Sequence, residues 1–168
     1  AHWDGCACCP PNVARTLAAL PGYLFGVGEG GIYVHQYVTS EAELDLNGNR
    51  IRLEIDTNYP WGGTIRILVF PDKPASFTLY LRYPGWARSA ELHLQGQSAP
   101  IEAAPGSYIA LQRTWEPGNT VTLDFPMPVE KVLGHPRVVT NAGRIALMRG
   151  PIVYCIEQVD HPDADLFR

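Results

Sequence analysis

Two hydrophobic periods divide this chain. Across residues 10–20 the apolar positions Val13, Leu17 and Leu20 recur at i, i+4 and i+7, the spacing of one helical face. Pro10 and Pro11 suit a first turn, where a backbone N–H would lack an intrahelical acceptor anyway. Pro21-Gly22 marks the expected end of that helix. Gly26, Gly28, Gly30 and Gly31 then read as a flexible passage, and beyond Gly31 the period falls from helical to two.

Ile51, Leu53 and Ile55 alternate with Arg50, Arg52, Glu54 and Asp56. The same alternation places Ile65, Ile67 and Val69, then Phe77, Leu79 and Leu81, then Leu92 and Leu94, and finally Val121, Leu123 and Phe125 on buried faces. Turn chemistry separates these runs at Asn47-Gly48-Asn49, residues 60–63, residues 71–74, Pro84-Gly85 and Pro117-Gly118-Asn119. About ten short, half-buried strands with such punctuation predict a mainly β fold, an antiparallel, jelly-roll-like β-sandwich preceded by one helix. Residues 143–148 and 150–156 supply two further strands, and the acidic stretch beyond Val159 is expected to leave the fold. The division is thus residues 1–30 with the helix and residues 31–168 as the sandwich region.

Composition narrows the function classes. A chain of 168 residues can bury a true core, and 46% hydrophobic with 18% charged residues is ordinary for a globular protein. The formal charge of −4 offers no basic surface to nucleic acid or to an anionic membrane. No apolar run approaches the ~18 residues of a membrane span. The opening Ala1-His2-Trp3, without Met, leads us to expect a piece of a longer protein.

The candidate chemistry is sulfur. Three of four cysteines crowd into Gly5-Cys6-Ala7-Cys8-Cys9, directly before the helix. A disulfide framework spreads cysteines along the chain, and adjacent ones such as Cys8 and Cys9 rarely bridge. A helix N-terminus favours an anion, so thiols there are expected to be more readily thiolate, the form that both binds metal and attacks carbon. Cys-x-Cys-Cys departs from zinc-finger spacing, so a zinc would draw further ligands from distant residues, with His2 as a nearby donor. Metal or nucleophile chemistry is favoured here over an inert buried cluster, and that cluster and a redox or disulfide role stay open.

Other residues attract plainer expectations. Cys155, within Ile152-Val153-Tyr154-Cys155-Ile156, is expected in the core. Trp61, Trp86 and Trp115 sit beside Pro or at strand ends and are expected to plug the sandwich rim, with sugar stacking as the alternative. His35, His93 and His135 are dispersed, and Glu29, Glu41 and Glu43 are expected on solvated surface.

The string His2-Trp3-Asp4-Gly5-Cys6-Ala7-Cys8-Cys9-Pro10-Pro11-Asn12 resembles the signature of glycoside hydrolase family 127, the β-L-arabinofuranosidases. Tyr83-Pro84-Gly85-Trp86, Trp115-Glu116-Pro117-Gly118-Asn119, Phe125-Pro126-Met127-Pro128 and Arg149-Gly150-Pro151-Ile152-Val153-Tyr154 resemble further family pieces in the same order, covering nearly the whole chain. The resemblance implies an (α/α)6 barrel with the catalytic site followed by β-sandwich domains, so residues 1–30 would be the end of that barrel. It implies retaining release of terminal β-L-arabinofuranose, with Cys8 as nucleophile and zinc ligand and Cys9 as zinc ligand, while Cys6 matches a motif cysteine that is not assigned as a ligand. The acid/base glutamate and the remaining Zn2+ ligands, a glutamate and a cysteine, are implied upstream. The implied partners are a carbohydrate substrate and the upstream barrel domain, with no nucleic acid or membrane, and the isolated chain is expected to be inactive. The rival expectation is a non-catalytic β-sandwich that binds carbohydrate or packs on a partner domain, its cysteines structural.

Overall fold

A computed structural model describes residues 8–157, 159 and 161–163 of the chain. Its helix, α1, spans Cys9–Ala19 and runs on into a 3-10 turn, Leu20–Tyr23, so Pro21-Gly22 tightens the chain rather than ending it outright. No residue of α1 is buried; Val13, Leu17 and Leu20 are 59%, 63% and 41% exposed. The apolar stripe is present, and among the described residues it lies largely uncovered.

The glycine passage is ordered. β1 (Phe25–Gly28) and β2 (Gly31–Val34) pair antiparallel through Phe25↔Val34 to Gly28↔Gly31, with Gly30 at φ 80. The apolar residues between the glycines supply strand faces, and Gly31 permits a close backbone approach. A Cβ there would lie 2.1 Å from the Thr78 carbonyl oxygen. That approach is made by β6 (Ala75–Arg82), which lies parallel to β2. A parallel neighbour requires a crossover, here provided by β3 (Ser40–Leu46), β4 (Asn49–Thr57) and β5 (Thr64–Pro71) in the opposite sheet.

Two sheets face one another. One has the order β1-β2-β6-β9, where β9 is Tyr108–Trp115. The other has the order β3-β4-β5-β10-β7-β8, where β7 is Glu91–Leu94, β8 Gln97–Ala99 and β10 Asn119–Asp124. All pairings in these sheets except β2 with β6 are antiparallel. The alternating residues meet in one core: Ile51, Leu53, Ile65, Ile67, Val69, Val121 and Leu123 from one side, Ile32, Val34, Leu79, Leu81 and Trp115 from the other, none exposed to water. The Asn47-Gly48 turn has both residues at positive φ, as a two-residue hairpin with right-handed twist requires. The Gln95-Gly96 turn between β7 and β8 does the same.

A third sheet, β11-β12-β13, comprises Val129–Leu133, Ile145–Arg149 and Ile152–Tyr154. Arginines tie it to the sandwich. Arg88 meets Glu130 through two contacts, Nε to Oε1 at 2.7 Å and Nη2 to Oε2 at 3.0 Å, and Arg149 donates to the Trp61 carbonyl at 2.7 Å.

Two further expectations give way. Cys155 is exposed rather than core, because β13 stops at Tyr154 at the edge of its sheet, and Val153, Tyr154 and Ile156 around it are all exposed. Trp61 is 66% exposed and plugs nothing, lying in the turn between β4 and β5. Trp115 is fully buried, and Trp86 is half-buried against Phe125, as a rim residue should be.

Candidate functional site

The sulfur pair sits at the first turn of α1. Cys8 is the residue before the helix, already helical at φ −72 and ψ −37, and its carbonyl accepts the Asn12 N–H at 3.2 Å. Cys9 begins the helix, so the two side chains leave the backbone from consecutive positions of one tight turn. Their sulfurs are 3.7 Å apart, and both residues are exposed. Cys6 and His2 lie outside the described residues.

The spacing tests what the pair can hold. Two thiolates bound to one tetrahedral zinc at Zn–S distances of about 2.3 Å stand about 3.8 Å apart. The Cys8–Cys9 separation fits that edge without rearrangement. Both donors are soft sulfur, which suits zinc rather than magnesium or calcium. Among the described residues no group of three or more His, Cys, Asp or Glu side chains converges on a metal-binding point, so this segment offers a pair of ligands and not a full set.

The helix itself contributes less than its position suggests. Pro10 and Pro11 carry no N–H, and the Asn12 N–H is already bonded to Cys8. Most first-turn donors that would face an anion are therefore missing or committed.

The remaining candidates do not join the sulfurs. Glu29, Glu41 and Glu43 are exposed, Glu41 and Glu43 within reach of Arg52 and Arg50 at 3.6 and 3.8 Å. His35 shares a hydrogen bond of 2.7 Å with the Tyr108 hydroxyl, while His93 lies on β7 and His135 on an exposed loop.

With this geometry in place, the comparisons with known proteins decide the family. The model of the β-L-arabinofuranosidase GH127 middle domain matches residues 31–127, more than half of the chain. The chain belongs to glycoside hydrolase family 127. The family's C-terminal domain model matches residues 129–167, which takes in the third sheet. A non-reducing end β-L-arabinofuranosidase of Bifidobacterium longum subsp. longum is 36% identical over 168 residues, 95% of this chain and 25% of that protein. The crystal structure of a GH127 β-L-arabinofuranosidase from Geobacillus stearothermophilus T6 superposes with a TM-score of 0.86 at 44% identity, covering 94% of this chain and 25% of that one. A further GH127 β-arabinofuranosidase structure gives a TM-score of 0.85 at 36% identity, over 94% of this chain and 27% of the other. The chain thus spans about a quarter of the length of these family 127 relatives. The middle-domain match falls on the two facing sheets from β2 onward, and the sulfur pair lies more than twenty residues before it in sequence.

Proposed function

We propose that this chain is the part of a family 127 glycosidase that carries the nucleophile, and that the whole protein releases terminal β-L-arabinofuranose with retention of configuration. The observation that carries this reading is the Cys8–Cys9 sulfur separation of 3.7 Å, which fits two corners of a zinc tetrahedron, in a chain of this family. The names of its relatives support the sugar.

Cys8 and Cys9 would hold zinc together with ligands from the upstream part of the protein. When bound, the metal supplies positive charge that keeps the Cys8 sulfur ionised, a need made greater by the prolines that strip donors from the helix start. Cys8 attacks the anomeric carbon, forming a C–S bond as the bond to the leaving oxygen breaks. An upstream carboxylic acid gives its proton to that oxygen. Water, deprotonated by the resulting carboxylate, then displaces the Cys8 sulfur, and the second inversion restores the starting configuration. Cys9 stays a ligand and never bonds to the sugar, while α1 fixes the two sulfurs relative to one another.

Metal analysis of the full-length protein tests the ligand assignment. Wild-type protein is expected to hold stoichiometric zinc, and Cys9→Ser is expected to lose most of it while retaining its thermal folding transition. Unchanged zinc in Cys9→Ser would overturn the assignment. The 168-residue chain alone is expected to show no turnover of an aryl β-L-arabinofuranoside, because the proton donor is supplied from elsewhere.

A further inference from the structure

Loops from four separate places meet at one end of the sandwich. Residues 35–37 leave β2, Tyr59 leads from β4 towards β5, Arg82 ends β6 with residues 84–86 following it, and Pro151 sits in the β12–β13 turn. Together they line an open cavity of about 200 Å³.

The wall of this cavity is aromatic. Trp86 and Tyr59 are half-buried with their rings 6.3 Å apart and 22° from parallel, and the Trp86 Nε1 donates to the Tyr59 hydroxyl at 3.3 Å. Trp86 is held from behind by an edge contact with Phe125 at 5.9 Å. The Ala87 N–H donates to the Pro84 carbonyl at 3.1 Å and closes the turn that presents it. Beneath lies buried Tyr37, its hydroxyl spent on the Arg82 carbonyl at 2.6 Å. The rim is different. Gln36 and Arg82 are exposed, and among the described residues no hydrogen bond or ion pair commits the Gln36 side-chain amide or the Arg82 guanidinium.

A fixed aromatic wall beside uncommitted planar polar groups has a definite preference among ligands. A sugar lays its C–H face on a ring and gives its hydroxyls to amide and guanidinium groups, matching both halves of the cavity. A purely apolar ligand would strip water from Gln36 and Arg82 without replacing it. A phosphate would find one cation and no backbone cradle here. The volume suits a single monosaccharide unit, and the open mouth lets an oligosaccharide continue outward.

We propose that the cavity between Trp86, Tyr59, Gln36 and Arg82 binds a neutral pentosyl unit of the glycan that the full-length protein processes. The pentose rests on the glycosidase reading above; the aromatic wall and polar rim do not.

The test is a titration of the full-length protein, 15N-labelled at tryptophan, with methyl β-L-arabinofuranoside, and separately with methyl β-D-glucopyranoside. The Trp86 indole N–H signal should shift saturably with the arabinofuranoside, with a Kd on the order of millimolar. The exposed Gln36→Ala/Arg82→Ala double variant should keep its melting temperature and bind about tenfold more weakly. No saturable shift with the arabinofuranoside, saturation by the glucoside alone, or undiminished affinity in the double variant would each overturn the proposal. Binding and turnover are read separately. A positive titration beside a full-length protein inactive on arabinofuranosides removes the glycosidase reading alone, whereas a negative titration beside an active one removes only this site.

Discussion

Trp115 donates its indole N–H to the Phe77 carbonyl at 3.0 Å, with the Trp115 side chain wholly removed from water. The two rings also stack, with centroids 5.8 Å apart. The hydrogen bond and the stacking pin the end of β9 to the start of β6 at one edge of the core. In such a place the hydrogen bond matters chiefly because its loss leaves a buried acceptor weaker. Trp115→Phe should therefore cost about 1–3 kcal/mol in urea unfolding even though an aromatic ring remains. Trp115→Ala should cost more, about 3–5 kcal/mol, by adding a cavity.

Gly31 predicts a sharper effect from a smaller change. Its missing side chain lets β2 run against β6, where a Cβ would sit 2.1 Å from the Thr78 carbonyl oxygen and 2.9 Å from the Tyr80 ring. The ring can move, but the carbonyl belongs to the ladder and cannot move alone. Gly31→Ala should destabilise by about 3 kcal/mol or more. Gly22→Ala, which meets nothing within 4 Å, should stay within about 0.5 kcal/mol of wild type. The difference between the two melting temperatures checks this.

The sequence made the sandwich legible where burial is one-sided. Ile51, Leu53 and Ile55, or Val121, Leu123 and Phe125, repeat every second residue because alternate side chains face a core, and all six are buried. Periodicity reports a face, not a partner, so it could not show that β2 lies parallel to β6. Glycine-rich residues 25–34 hid a hairpin because their strand signal, Phe25, Val27, Ile32 and Tyr33, is diluted by residues that usually weaken strands. Gln95-Gly96 escaped notice since Gln seldom takes the left-handed conformation it has here. The apolar run around Cys155 suggested burial, but a run carries no information about whether another layer covers it.

The candidate chemistry divides in the same way. The sulfur pair was legible because its members are neighbours in sequence. The loop cavity was not, since it gathers residues 35–37, 59, 82, 84–86 and 151. Its signal was the aromatic-proline pattern of Tyr59-Pro60-Trp61 and Tyr83-Pro84-Gly85-Trp86, which marks strand ends without saying that they meet.

Tyr37 predicts how the fold responds to alkali. Burial, reinforced by the neighbouring Tyr59 and Tyr108 and only partly opposed by Arg82, pushes its hydroxyl far above the usual tyrosine range. Below about pH 10 both folded and unfolded chains keep this proton, so it adds no slope to stability. Above that, the unfolded chain releases the proton first, and stability should fall by about 1.4 kcal/mol per pH unit until the folded hydroxyl also ionises. Tyr37→Phe should be less stable at neutral pH by about 1 kcal/mol, through the lost bond to the Arg82 carbonyl. Its alkaline limb should be shallower by one proton. Urea unfolding free energies across the alkaline range check both signs.

Covalent trapping in the full-length protein reads out whether Cys8 is the group that bonds to the sugar. The enzyme would be incubated with a mechanism-based β-L-arabinofuranosyl inactivator, digested, and the labelled peptide sequenced by tandem mass spectrometry, whose fragments separate Cys8 from Cys9. The sugar adduct is expected on the Cys8 sulfur, with Cys9 unmodified. An adduct on a carboxylate or on Cys9, in protein fully inactivated with Cys8 untouched, would overturn Cys8 as the nucleophile.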